Sequence, residues 1–219
     1  MSKVLVYVGV NKGFGLSRLL STETFDIVYG FEPDPELFKI IQTMFAQYPF
    51  IKLINAACSV ENSISDLFVT ENRCSTSLAT PNPVFFDKGS VEGISIIKTI
   101  RVNTINLLDF IKANNIDRIK YLVLDTQGYD YSILKTIEPL IENKKIDTIF
   151  TETHKNNCFL YNGIDNQFKK FKELLDKNYE IDYFSSDDIY ISKEKNPEEH
   201  TPYNEWDTCW VLKKEWIKV

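Results

Sequence analysis

The chain carries little with which to hold a nucleic acid, cross a membrane or build a disulfide framework. Its 25 Lys plus Arg are outnumbered by 31 Asp plus Glu, for a net charge of −6. No basic stripe of the kind that tracks a phosphate backbone runs along it, so nucleic acid is not an expected partner. No apolar run approaches a membrane span, and the N-terminus lacks a charged segment leading into an apolar one with a cleavage site. The expectation is a cytoplasmic protein with no membrane partner. The four cysteines, Cys58, Cys74, Cys158 and Cys209, form no C-x-x-C pair, which argues against a zinc knuckle and leaves reduced thiols packed as small apolar groups. Histidine is scarcer still, with only His154 and His200. Internal repeats and linkers are also missing, and 219 residues suit one core, so a single domain over 1–219 is expected.

What is present is an alternation. Apolar, β-rich runs near residues 3–9, 27–32, 51–55, 120–125 and 147–152 each precede or follow a helical pattern such as "DPELFKIIQTMFAQY", "DYSILKTIEPLIEN" or "DNQFKKFKELLDKNY". Strand and helix in turn predict βαβ crossovers and a mostly parallel sheet with helices on both faces. Toward the C-terminus "YEIDYFSSDDIYIS" and "WDTCWVLKKEW" read as two strands with no helix between them. That ending predicts an antiparallel pair at one edge and seven strands in all. Residues 57–105 break the rhythm, and "ENRCSTSLATPNPVFFDKGSVEG" has the composition of an irregular excursion, a candidate lid around 70–100.

The opening "VLVYVGVNKGFGLSRLL" runs from a strand through Gly9, Gly13 and Gly15 into a helix. A helix start there turns unpaired N–H groups toward whatever lies beyond the strand. Glu32 ends the second strand, where a carboxylate can accept from both hydroxyls of a ribose, so the ligand reads as an adenosine compound. Two cofactors fit that description. The glycine spacing also matches short-chain dehydrogenases, and "YSILK" at 131–135 supplies a Tyr-x-x-x-Lys. Such a pattern is expected by chance about once in a chain this rich in tyrosine and lysine. "YPFIK" at 48–52 is a second case, and Tyr131 falls after the fourth strand instead of the fifth. Tyr131 is read as helix packing.

Several segments resemble the FkbM-type family of S-adenosylmethionine-dependent methyltransferases. "VYVGVNKGFGLSRLL" is similar to its V-D-V-G-A-N-x-G opening, "VYGFEPDPELFKII" to F-E-P-x-P-x-x-F, and "INAACS" to its third-strand turn. "YLVLDTQGYDYSILK" resembles D-x-Q/E-G-x-E-x-x-x-L-K, and "IFTETH" resembles the E-x-H after strand five. The resemblance implies a Rossmann-like class I methyltransferase fold and S-adenosylmethionine as cofactor. It implies Gly9, Asn11 and Gly13 at the methionine portion with Val10 and Phe14 among them, Glu32 at the ribose with Pro33 beside it, and Ala56 at the adenine. Asp125 would stand beside the methyl donor. Tyr7 and Val123 depart from the family's usual acid and lysine, so an inactive cofactor-binding subunit stays open beside the nicotinamide-dependent oxidoreductase.

Methyl transfer to oxygen is helped by a group that takes the hydroxyl proton. Asp125, Glu152 and His154 are the candidates, because strands four and five should end on the cofactor's face. Gln127 and Tyr129 could line an acceptor pocket, and Ser75 and Thr76 could close over it. Phe85, Phe86, Tyr161, Tyr203 and Trp206 fall in loops expected around its mouth. Asp125, Glu152 and His154 are also hard or borderline ligands that a divalent metal could use, although no spacing demands one. The expected acceptor is a sugar, glycan or secondary-metabolite hydroxyl.

Overall fold

All five residues of β1 (Val4–Val8) are buried, which requires cover on both faces and a neighbour on each edge. The computed structural model describes residues 2–86, 92–186, 189–201 and 204–214. After β1 come α1 (Phe14–Thr22), β2 (Ile27–Phe31), α2 (Pro35–Met44), β3 (Ile51–Ile54), β4 (Ala57–Ser59), β5 (Ser63–Thr70) and β6 (Ile96–Asn106). Then follow α3 (Leu107–Ala113), β7 (Ile119–Leu124), α4 (Asp130–Thr136), α5 (Glu138–Glu142), β8 (Ile146–His154) and α6 (Phe168–Leu175). The chain continues with β9 (Tyr179–Ser186), β10 (Ile189–Ser192), α7 (Pro197–His200) and β11 (Glu205–Leu212).

Strand periodicity sorts the core into two faces. Val4, Val6 and Val8 pack with Leu107, Ile111, Ile133 and Phe171, on the side of α3, α4 and α6. Leu5 and Tyr7 point the other way, onto Leu16 of α1 and Ile41 of α2. The main sheet has the order β10-β9-β11-β8-β7-β1-β2-β3. Strands β3, β2, β1, β7 and β8 are parallel, while β11 is antiparallel to both β8 and β9. The connections reverse direction between β1 and β7, and such a switch point leaves a crevice beyond the carboxyl ends of the strands.

Three expectations are corrected. Much of the 57–105 stretch is a second sheet of order β4-β6-β5: its small core of Ala57, Leu67, Val69 and Val102 is flanked by exposed polar residues such as Asp66, Arg101 and Asn103, so it was masked by composition. The C-terminal edge holds three antiparallel strands, because "YEIDYFSSDDIYIS" folds back on itself as β9 and β10, and the sheet has eight strands instead of seven. "DYSILKTIEPLIEN" forms two short helices, with Pro139 opening the second, since proline suits a first turn and not a helix interior. No described helix is long and apolar enough to cross a membrane.

Gly9 (φ +88°) sits where a Cβ would lie 1.9 Å from the main-chain oxygen of Asp125, whereas Gly163 (φ +75°) has nothing within 4 Å. Both positions carry the left-handed strain of about 1–2 kcal/mol for any larger residue, but only Gly9 adds a clash. Gly9→Ala is therefore expected to lose about 2 kcal/mol more than Gly163→Ala in urea unfolding; equal losses would show that β1 and β7 do not approach so closely.

Candidate active site

The turn after β1 is built by main-chain hydrogen bonds. Gly9 and Val10 N–H both donate to the Phe31 carbonyl, at 3.0 Å, which ties the end of β1 to the end of β2. Asn11 then enters the left-handed region (φ +51°), and its N–H donates to Glu32 Oε2 at 2.7 Å. Asp34 N–H donates to Glu32 Oε1 at 2.8 Å. Glu32 is thus held by one donor on each oxygen, with lone pairs to spare. It is 4% exposed, and burial pushes its pKa up to about 7 against those two bonds. It lines a cavity whose apolar side is given by Phe31, Leu37, Ala57 and Leu67, a lining that suits a small ligand with few polar anchors.

A segment between β5 and β6 roofs this cavity. Arg73 (φ +64°) pairs with buried Asp34, which also caps α2 through Glu36 N–H, and with Glu36 Oε2 at 2.7 Å. Asn11 Nδ2 donates to the Arg73 carbonyl at 3.3 Å. The roof is therefore fastened to the same two turns that hold Glu32. Sequence reasoning missed Arg73 and Asp34; the guanidinium-carboxylate match between "ENRCS" and "EPDPE" was the available signal, with no local spacing to reveal it.

Beside it, a second cavity is lined by Tyr7, Asp125, Gln127, Glu152, Glu205 and Asp207 among others. Asp125, following β7, faces both cavities. Gln127 (φ +56°) bridges two carboxylates: its Nε2 donates to Asp125 Oδ1 at 3.0 Å and to Glu152 Oε2 at 2.5 Å, while its Oε1 accepts from Tyr161 at 2.7 Å. Burial raises the pKa of Asp125, which the Gln127 bond opposes. Burial and then Glu205 and Asp125 hold Glu152 well above the carboxylate range. Gln127 lines both cavities, as expected of a pocket residue, and its amide also bridges the two carboxylates.

The structure brings Gly9, Asn11, Glu32, Pro33, Ala56 and Asp125 to the first cavity, and Thr76 and Tyr129 line that cavity too. Val10 and Phe14 line the second, Phe14 being 71% exposed. Gly13, Ser75 and His154 are not among the described residues lining either cavity. Gly13 backs onto α2, where a Cβ would meet Met44 Sδ at 3.0 Å. Ser75 takes part in the roof's own bonding with Asn72. His154 is fully buried at the end of β8, stacked on Tyr161 with ring centroids 6.0 Å apart, and burial lowers its pKa to about 3. Its ring lies behind the Glu152 carboxylate, which lines the second cavity, with Nε2 3.6 Å from Glu152 Oε1.

Tyr7, whose ring could have filled the cofactor's place, lies against Gly15 and lines only the second of these two cavities. Tyr131 packs edge-on against Phe171 at 5.6 Å, as helix packing requires. Phe86 and Tyr161 are core anchors, and buried Trp206 lines the second cavity. Tyr203 lies outside the described residues.

Asp130, buried and bonded to Thr126, is like Glu32 pushed up to about 7 by burial. Between their ordinary values of 3.8 and 4.5 and about 7, the folded chain holds protons that the unfolded chain has released. Unfolding free energy therefore falls as pH rises through that window. The urea midpoint of the ligand-free chain should be higher at pH 5 than at pH 8; a rising or flat profile would mean that these acids ionise at no cost to the fold.

No curated protein matches the chain. Among solved structures, Methyltransferase FkbM from Methylobacillus flagellatus KT superposes with a TM-score of 0.55 at 16% identity, covering 97% of this chain and 44% of that one. M. capricolum TrmK, in complex with S-adenosylhomocysteine, gives 0.46 at 14% identity (97% and 63%). The N-terminal domain of human METTL16, also with S-adenosylhomocysteine, gives 0.49 at 9% identity (98% and 63%). The chain spans less than two thirds of the length of each of these. The first shows a shared fold, an α/β methyltransferase architecture with antiparallel strands at the C-terminal edge. The methyltransferase FkbM domain matches residues 8–181, from the end of β1 into β9; with Glu32, Asp125 and Glu152 all inside that span, the chain belongs to the FkbM methyltransferase family.

Proposed function

We propose that the chain is an S-adenosylmethionine-dependent O-methyltransferase acting on a hydroxyl of a sugar, glycan or secondary metabolite. The observation that carries this reading is the Glu32 carboxylate, fixed by Asn11 and Asp34 N–H at the wall of a cavity that meets a second, acid-lined cavity at Asp125. Glu32 has remaining lone pairs to accept from ribose hydroxyls. The apolar side formed by Phe31, Leu37 and Leu67 suits a flat base. When bound, S-adenosylmethionine supplies an electrophilic methyl group on its sulfonium.

The residues of the chain account for the rest. Asp125 lies where the two cavities meet, in position to orient an acceptor hydroxyl and take its proton. Desolvation raises its pKa above the ordinary carboxylate value, which makes it the stronger base. Gln127 and Tyr161 hold the two carboxylates apart in fixed orientations. The segment latched by Arg73 covers one side of the first cavity. Asp125, Glu152, Glu205 and Asp207 together make the second cavity hostile to a phosphate-rich acceptor, which favours a neutral polyol over nucleic acid. The four free cysteines support a reducing, cytoplasmic setting.

Calorimetric titration with S-adenosylmethionine, S-adenosylhomocysteine and NAD should show binding of the first two only. Glu32→Gln should weaken that binding about 10-fold or more. Asp125→Asn should lower turnover about 100-fold, followed as S-adenosylhomocysteine formed over a panel of neutral sugars, with cofactor affinity little changed. Binding of NAD alone, or an unchanged Glu32→Gln, would overturn the assignment; cofactor binding without turnover on any acceptor would select the inactive-subunit reading.

A further inference from the structure

The antiparallel register of β8 and β11 places Glu205 opposite His154 and Asp207 opposite Glu152. Directly opposed residues share a face, and residues two apart on a strand share it as well. Four ionisable side chains therefore gather at one end of a single sheet face. Like charges set directly opposite one another, as Glu152 and Asp207 are, destabilise a strand pair, so the arrangement calls for a compensating positive charge. Among the described residues, Glu152 has only His154 at ion-pair distance, with Nε2 and Oε1 3.6 Å apart.

We propose that Glu152, His154 and Glu205 form a binding site for a first-row divalent metal ion. One ligand atom from each lies within 4.8 Å of the other two. Ions of this class bind nitrogen and oxygen at about 2.0–2.2 Å, so ligand atoms around them stand roughly 3–4 Å apart. The Glu152–His154 separation is already in that range, and Glu205 offers a third ligand atom within 4.8 Å of both. The independent observation is His154 itself. Its ring is 0% exposed, and neither Nδ1 nor Nε2 has a hydrogen-bond partner, nor does buried Glu152 Oε1. A buried imidazole with both nitrogens unsatisfied is costly, and a metal bond to one of them removes part of that cost. One imidazole with two carboxylates is a borderline donor set that favours manganese, iron or zinc over magnesium or calcium, which prefer oxygen alone. Glu152 and Glu205 both line the second cavity, which provides a route of entry. There the ion would supply Lewis acidity to an oxygen of the acceptor; that last role, unlike the site, rests on the methyl-transfer reading.

The test uses the full chain without a histidine tag, with neither methyl donor nor acceptor present. Titration with Mn2+, followed by loss of the free-ion electron paramagnetic resonance signal, should give one ion per chain, displaced by Zn2+. Pulsed measurements should show nitrogen coupling to the bound Mn2+, and His200→Gln should leave it unchanged because the only other histidine is exposed at the end of α7. Glu205→Gln, an isosteric change, should weaken Mn2+ binding at least 10-fold while keeping the far-ultraviolet circular dichroism of the parent chain. If that variant does not fold, the nitrogen coupling in the parent chain and in His200→Gln decides the matter. Absence of bound Mn2+ at millimolar concentration, coupling that vanishes in His200→Gln, or unchanged affinity in folded Glu205→Gln would overturn the site. Because no donor or acceptor enters the measurement, its failure leaves cofactor binding and turnover to be judged separately.

Discussion

Two main-chain N–H groups, from Asn11 and Asp34, grip one buried carboxylate, and much of the site's geometry follows from that grip. The bonds require the chain after β1 to bend through a left-handed residue and the chain after β2 to turn at once into α2. They also place Asp34 so that it serves two purposes, capping α2 and receiving Arg73 from the roof. A single acid thereby coordinates two turns, a helix start and a loop some 40 residues distant in sequence. The orientation of Glu32 is set before any ligand arrives, which lowers the ordering cost of binding.

A second bridge of the same kind stands at Gln127, whose side-chain amide joins Asp125 to Glu152 and is itself held by Tyr161. Amide bridges let two carboxylates sit near each other without requiring both to be protonated, since each receives an N–H. The two arrangements divide the crevice. Around Glu32 the surroundings are mostly apolar, and around Glu152 they are acidic, so one molecule carrying a base and a charged tail would find different chemistry at its two ends.

Much of the architecture was legible in the sequence because βαβ units write a strong local signal: buried strands are continuous apolar runs and the helices between them are amphipathic. The five parallel strands fall within a residue or two of where those runs lie. Glu32, Asn11 and Asp125 were legible for a related reason, each sitting at a strand end in the turn that the topology makes functional. What was hidden depends on contacts far apart in the chain. Residues 57–105 looked irregular because β4, β5 and β6 stabilise one another, with polar residues such as Asp66, Arg101 and Asn103 exposed along β5 and β6. Arg73 found its partners 37 and 39 residues away. Glu205 joined His154 through strand register, which no spacing along the chain announces. His154 was read as a candidate from its place at the end of the fifth parallel strand, and the structure puts it there, fully buried behind Glu152.

The place of β11 in the sheet has a consequence for assembly. Although it follows β9 and β10 in the sequence, it lies between β8 and β9, so among the described residues β9 and β10 reach the rest of the sheet through it. A chain emerging from the ribosome must keep the outer edge of β8 unoccupied until β11 arrives, although β9 is available sooner and would pair there in the wrong neighbourhood. Folding of this edge is thus non-local and late. The acids that face Glu152 and His154 come into position only in that closing step, so a chain stalled before it would display the cofactor-side turns without the opposite wall.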